Sequence, residues 1–371
     1  MTTKIAKGII ILACTLALLL IAGCNRQSPD ETPNEENNNG QATHQYNDDS
    51  NEIYEDYIPD IVYEEYVPAH EDQGIHGLIS VVEHGDNRVY ILGSIHIGCE
   101  SWYPLSPVVE AAMDRADIFA FEIDMAAEGG RCILEEDPCE YDCLHALMEM
   151  MFLPEGTELA DFLPADVYKI FMGNLQTYPI HVSAVTTFKP TTISELIMYE
   201  IVAPQLGFSS EHSIDMYVFN RAEANERPAI GLTDFNDHIA FVSGMPDEYQ
   251  IATARYFTDY NTMLNELEEL AHVYEIQDIE TLAQMVNNLA EAYEAYHAGY
   301  MSASGLALSR YWHYTVGNYR STFFAQQIAA LLTETEEPTT FFVTIGIAHL
   351  TREVNVFRML RDMGFDVVGL Y

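Results

Sequence analysis

Positive charge is what this chain has least of. Lys and Arg together number 16 against 58 Asp and Glu, for a formal net charge of −42 at pH 7. Nucleic acid is thereby excluded as a partner, because binding it rests on neutralising phosphates with Lys and Arg. Adsorption onto anionic lipid by charge alone is excluded on the same ground. The acidic field favours cations, basic peptides and metal ions instead. Long apolar runs are scarce too. The stretch from Gly8 to Ala22 is shorter than the roughly 18–20 residues a membrane span takes. There is no phosphate-binding loop, no His-Glu-x-x-His helix, and no nucleophile elbow around Ser94 or Cys99. Those absences argue against P-loop nucleotide chemistry, the common zinc-protease helix and a serine or cysteine hydrolase.

What is present begins with a leader. Lys4 and Lys7 precede the apolar run, which closes on Ile21-Ala22-Gly23-Cys24. A charged start, a short apolar core and small residues before the cut predict a secretory signal over 1–23. Its terminal cysteine makes it resemble a bacterial lipoprotein signal. Cys24 would then carry the lipid (palmitate among its acyl chains), placing the protein on the extracytoplasmic face of the cell membrane. Residues 24–70 are mostly Asn, Asp, Glu, Gln, Pro and Tyr, too poor in apolar groups to form a core, and read as an acidic disordered tether. Cys14 leaves with the leader, so Cys99, Cys132, Cys139 and Cys143 remain. In an exported chain disulfides are the default, with a zinc site as the alternative. The last three mark an insertion over 126–150.

Residues 71–371 form the folded part. Leu78–Glu83 and Arg88–Ile95 flank His84-Gly85-Asp86-Asn87, a hairpin signature. Pro107–Ala116 has helical spacing, and Ile118-Phe119-Ala120-Phe121 reads as a buried strand. Pro228–Leu232 and Thr340–Ile345 read as strands as well, and helical sequence dominates about 154–335. The end reads strand, helix, strand: Thr340–Ile345, Leu350–Met363 and Asp366–Tyr371. Strands alternating with helices predict an α/β fold, a layered mixed sheet with flanking helices and a large helical cap.

Two matching punctuations carry the chemistry. Gly93-Ser94-Ile95-His96 and Gly346-Ile347-Ala348-His349 each close an apolar, β-branched run. Each glycine frees the backbone to turn, and each histidine then stands just past a strand's carboxyl end, where open α/β sheets bind ligands. Glu122 directly follows four apolar residues, so its carboxylate needs a cation, a donor or a metal. A salt bridge to an arginine would serve equally well.

Together these residues resemble the TraB/GumN family, related to the Tiki metal-dependent proteases. The matching pieces are Tyr90–His96, Trp102–Ser106, Ala116–Glu122, Asp215, Pro228–Leu232, Arg320 and Ile345–Leu350. The resemblance implies a metal-dependent peptidase acting on a peptide or protein substrate. His96 and His349 would bind a divalent transition metal (Mn, Co, Zn or Fe), with Glu122 as a further ligand or as general base. Arg320 would hold a substrate carboxylate or a developing oxyanion, or pair with Glu122. Asp215 and Asp234 would orient a histidine from behind. The sequence departs from the family pattern at three places. Thr233 stands where Gly-Leu-Glu is usual, His238 stands in place of a glutamine, and Tyr319-Arg320-Ser321 replaces Glu-Arg-Asn. The rival expectation is a non-catalytic surface protein that captures a metal, haem or peptide.

Overall fold

The computed structural model describes residues 77–124, 148–286, 306, 309–310 and 312–370. The leader, the tether and residues 126–147 of the expected insertion, with Cys132, Cys139 and Cys143, lie outside them. Among the described residues no helix is long and apolar enough to cross a membrane. Cys99 forms no disulfide among them.

Six strands form one mixed sheet. In chain order they are β1 (Ile79–His84), β2 (Asn87–Ser94), β3 (Ile118–Ile123), β4 (Ala229–Thr233), β5 (Thr340–Gly346) and β6 (Val367–Gly369), and in space they run β4-β3-β5-β2-β1-β6. The expected hairpin is β1–β2, paired antiparallel with His84 opposite Asn87. That pairing leaves a two-residue turn, Gly85-Asp86, and Gly85 supplies the positive φ it requires (60°). β2, β5, β3 and β4 are mutually parallel. Their carboxyl ends therefore share one edge of the sheet. β5, last of the four in sequence, lies between β2 and β3.

β2, β3 and β5 read as apolar runs because helices cover both faces. Consecutive residues of β3 show this directly. Phe121 meets Phe219 of the helix Ile214–Ala224 edge-on at 5.7 Å, while Glu122 bonds Arg320 of the helix Arg320–Thr333 on the other side. The helices include α1 (Pro107–Arg115), α2 (Ala165–Leu175), α3 (Pro190–Ile197), α4 (Ile214–Ala224), α5 (Phe235–Ser243), α6 (Asp247–Tyr256), α7 (Tyr260–Glu275), α8 (Ile279–Val286), α9 (Arg320–Thr333), α10 (Ala348–Thr351) and α11 (Val356–Asp362), with short helical turns at Leu159–Phe162 and Ala203–Gln205 besides. The layered mixed α/β architecture expected from the order of elements is the one observed.

Sequence explains where several of these helices start. Ser106 accepts a hydrogen bond from Val109 N–H and Pro107 opens α1, and Ser213 caps α4 by accepting from Met216 N–H. α3 and α9 are each continuous with a π-helical stretch, Met198–Val202 after α3 and Trp312–Tyr319 before α9. Asn87, at the start of β2, ties distant chain together. Its amide donates to the carbonyls of Leu332 (3.1 Å) and Thr335 (2.9 Å), and its oxygen accepts from Thr339 N–H (3.0 Å). The end of α9 and the entry to β5 are thereby fixed to the hairpin.

Candidate functional site

The four parallel strand ends deliver His96, Glu122, Thr233 and His349 to one edge of the sheet. His96 follows β2 by two residues and is buried. Its Nδ1 lies 3.0 Å from Asp215 Oδ2, and Ser94 Oγ donates to Asp215 Oδ1 at 2.8 Å. An ionised carboxylate only accepts, so Nδ1 carries the hydrogen and the neutral ring keeps its lone pair on Nε2. That Nε2 is buried and has no hydrogen-bond partner among the described residues. Burial opposes charge on this ring, but the Asp215 carboxylate, by charge and hydrogen bond, and Glu122 outweigh it and raise its pKa.

Asp215 sits in the first turn of α4, where its charge also suits the helix N-terminus. Two chain segments hold that turn against β2. Gly98 and Ser209 exchange both backbone hydrogen bonds (3.0 and 2.9 Å), and Tyr103 Oη donates to the His212 carbonyl at 2.6 Å. The approach is close enough that a Cβ on Gly98 would lie 1.9 Å from the His212 oxygen.

Glu122 meets Arg320 across the sheet. Arg320 Nη2 donates to Glu122 Oε2 at 2.8 Å, and Gly346 N–H donates to Oε1 at 2.6 Å. His349 Nε2 faces the same Oε1 from 3.9 Å. Burial would push this carboxyl's pKa up, yet Arg320 first, then the two histidines and the Gly346 amide, hold it below the ordinary value. Arg320, the first residue of α9, has other neighbours. Its Nη1 is 3.2 Å from His238 Nδ1, and its guanidinium lies over the rings of Phe324 (5.1 Å) and Phe241 (5.8 Å).

His349, in α10, is also buried, with Nδ1 3.0 Å from Ser321 Oγ and its ring edge-on to Phe324. A hydroxyl can donate or accept, so Ser321 does not settle the tautomer as Asp215 does for His96. With no carboxylate behind it, burial drives this ring's pKa down to about 3.

The structure thus brings His96, Asp215, Glu122, Arg320 and His349 together and adds His238, Ser94 and Ser321. It does not bring in Asp234. That residue is exposed and accepts from Asp237 N–H at 3.3 Å, at the start of α5. Thr233, at the end of β4, pairs with Ile123 across the sheet. Ser94 is fully buried behind His96, a place that suits bracing and not attack.

As the side chains stand, no group of three or more His, Cys, Asp and Glu among the described residues is gathered closely enough to hold a metal ion. The donor types nonetheless suit a borderline transition metal, with two imidazoles, a carboxylate and one buried ring nitrogen left without a partner.

A mixed sheet whose four parallel strands bring two G-x-x-H turns and a strand-end glutamate to one edge defines the class. The model of the TraB/PrgY/gumN family matches residues 78–368, and the chain belongs to that family. No curated protein and no solved structure matches the chain.

Proposed function

We propose that the buried cluster is a divalent-cation centre that serves hydrolysis, with a peptide or protein as substrate, in a lipid-anchored extracytoplasmic protein. The observation that carries this reading is His96. Its Nδ1 is committed to Asp215, and its opposite nitrogen is buried and unpartnered among the described residues, a free lone pair whenever the ring is neutral. A buried polar atom left unmatched is costly, and a bound cation would satisfy it. His96, His349 and Glu122 would hold the ion. When bound, it would supply Lewis acidity toward a carbonyl and toward water.

The chain's own residues do the rest. Asp215, itself held by Ser94, orients His96, and Ser321 orients His349. Glu122, with its carboxylate buried between Arg320 and the Gly346 amide, is the candidate proton acceptor. Arg320 supplies positive charge that a substrate carboxylate or a developing oxyanion can share. The membrane placement rests on the leader and Cys24 alone.

The test is metal analysis of the purified protein equilibrated with Mn²⁺, Co²⁺, Zn²⁺ or Fe²⁺, beside His96→Ala and His349→Ala, with folding checked by circular dichroism. One equivalent of metal in the parent, lost in either variant with the fold kept, is the expected result. A parent that retains none of the four ions refutes the reading.

One observation favours capture of a metal, haem or peptide without catalysis. Both Glu122 oxygens are already engaged, by Arg320 and by Gly346 N–H, and no carboxylate stands at Thr233. Cleavage of a peptide library by the loaded protein separates the two readings.

A further inference from the structure

The cluster already contains a cation. Arg320's guanidinium lies 2.8 Å from Glu122 Oε2, the second oxygen of the carboxylate whose Oε1 faces His349. We propose that Arg320 and a divalent ion compete for Glu122, so that Arg320 sets how tightly the site holds metal and must give up its bond when metal enters. The inference rests on the reading of the cluster as a divalent-cation centre.

Three features make an exchange more reasonable than a permanent lock. First, Arg320 has holds that do not involve Glu122. His238 Nδ1 faces Nη1 at 3.2 Å, and a ring nitrogen that accepts there keeps the guanidinium in place without neutralising it. Second, the rings of Phe324 and Phe241 lie within 5.1 and 5.8 Å of the guanidinium carbon, a cation–π arrangement that is strengthened by burial. Giving up one Nη2–Oε2 bond therefore does not strand the charge. Third, Glu122 remains positioned without Arg320. The Gly346 N–H bond of 2.6 Å fixes Oε1, so the carboxylate released by Arg320 stays directed at His349.

The physical reason for competition is charge. The carboxylate, with both oxygens buried, is stable as an anion only beside a cation. Whichever cation is present supplies that partner, and the second to arrive meets like charge in a poorly screened site.

The experiment is titration calorimetry with MnCl₂ and with ZnCl₂ on the parent, Arg320→Met and Arg320→Lys, with circular dichroism on each. Methionine keeps an apolar stem beside the rings of Phe241 and Phe324 and removes the charge. The expected result is binding at least about tenfold tighter in Arg320→Met than in the parent, with Arg320→Lys between them. A parent that binds and an Arg320→Met variant that binds no tighter overturn the competition and leave the cation centre standing. No heat of binding in either parent or Arg320→Met overturns the cation centre itself, and the competition with it. Should Arg320→Met be unfolded alone, refolding on addition of Mn²⁺ or Zn²⁺ supports the exchange. Failure of either ion to refold it, with Arg320→Lys folded and binding like the parent, counts against it.

Discussion

Asp215→Asn isolates the device that leaves His96 Nε2 bare. The wild-type carboxylate accepts two hydrogen bonds, from Ser94 Oγ at 2.8 Å and from His96 at 3.0 Å. Asparagine keeps one oxygen for Ser94 and turns an amide toward Nδ1. The ring must then accept at Nδ1 and carry its hydrogen on Nε2, so the lone pair offered to the cluster disappears. The energetic change is the difference between a hydrogen bond to a charged group, about 1.5–3 kcal/mol, and a neutral one of about 1 kcal/mol. Folding should therefore lose only about 1 kcal/mol. Metal affinity should fall much further, by about 10–100-fold, as when a histidine ligand loses its orienting carboxylate. Nitrogen-15 spectra of the imidazole at neutral pH report the tautomer, and calorimetry with Mn²⁺ reports the affinity. If the ring in Asp215→Asn keeps its hydrogen on Nδ1, or if affinity is unchanged while the tautomer has switched, the argument from Asp215 to a prepared ligand is wrong.

Three further predictions concern stability. Glu195, in α3, is buried with Oε2 unpartnered among the described residues, and burial pushes its carboxyl pKa well above the ordinary 4.5. The folded form keeps the proton that the unfolded chain gives up, so stability drains away as pH rises from about 4.5 toward the folded pKa. Glu195→Met should be more stable than the parent by about 1–3 kcal/mol at neutral pH, with a smaller gap at pH 4; denaturant melts at the two pH values check this. Gly98→Ala drives a Cβ to 1.9 Å from the His212 carbonyl oxygen and should cost about 1–3 kcal/mol. Weaker metal binding should accompany it, because the same bridge holds Asp215 beside His96. Asn87→Ala removes three hydrogen bonds between the hairpin, the end of α9 and the entry to β5 and should cost about 2–4 kcal/mol by urea unfolding.

The strands were legible because burial on both faces writes them as apolar runs, and the hairpin because its turn is local chemistry at Gly85-Asp86. The place of β5 was not legible. Parallel pairing joins residues some 250 positions apart, as in Tyr90 with Phe342, and nothing near either residue encodes the choice. At the site, the two motif histidines and Glu122 announced themselves by following apolar runs. Asp215 came only through family resemblance, since an aspartate in a helix's first turn is ordinary. Ser94 and Ser321 stood next to named positions, yet their hydroxyl bonds depend on how α4 and α10 dock. His238 departs from the family pattern; that it faces Arg320 follows from α5 packing against β4. Asp234, one residue beyond Thr233, turns out to solvent.

The position of β5 also governs when the protein becomes itself. β2 and β3 are made early, but neither is paired with the other; the strand that joins them is supplied only at Thr340–Gly346. Until then both present unpaired parallel edges, the kind of surface that invites association with other chains. Closing the sheet brings residues from the two ends of the fold together, a slow, non-local event. His349 follows β5 by three residues, so the step that completes the sheet also brings in the last member of the cluster. Until β5 has been made, then, the chain carries no assembled cluster, and the site and the closed sheet come into being in the same step.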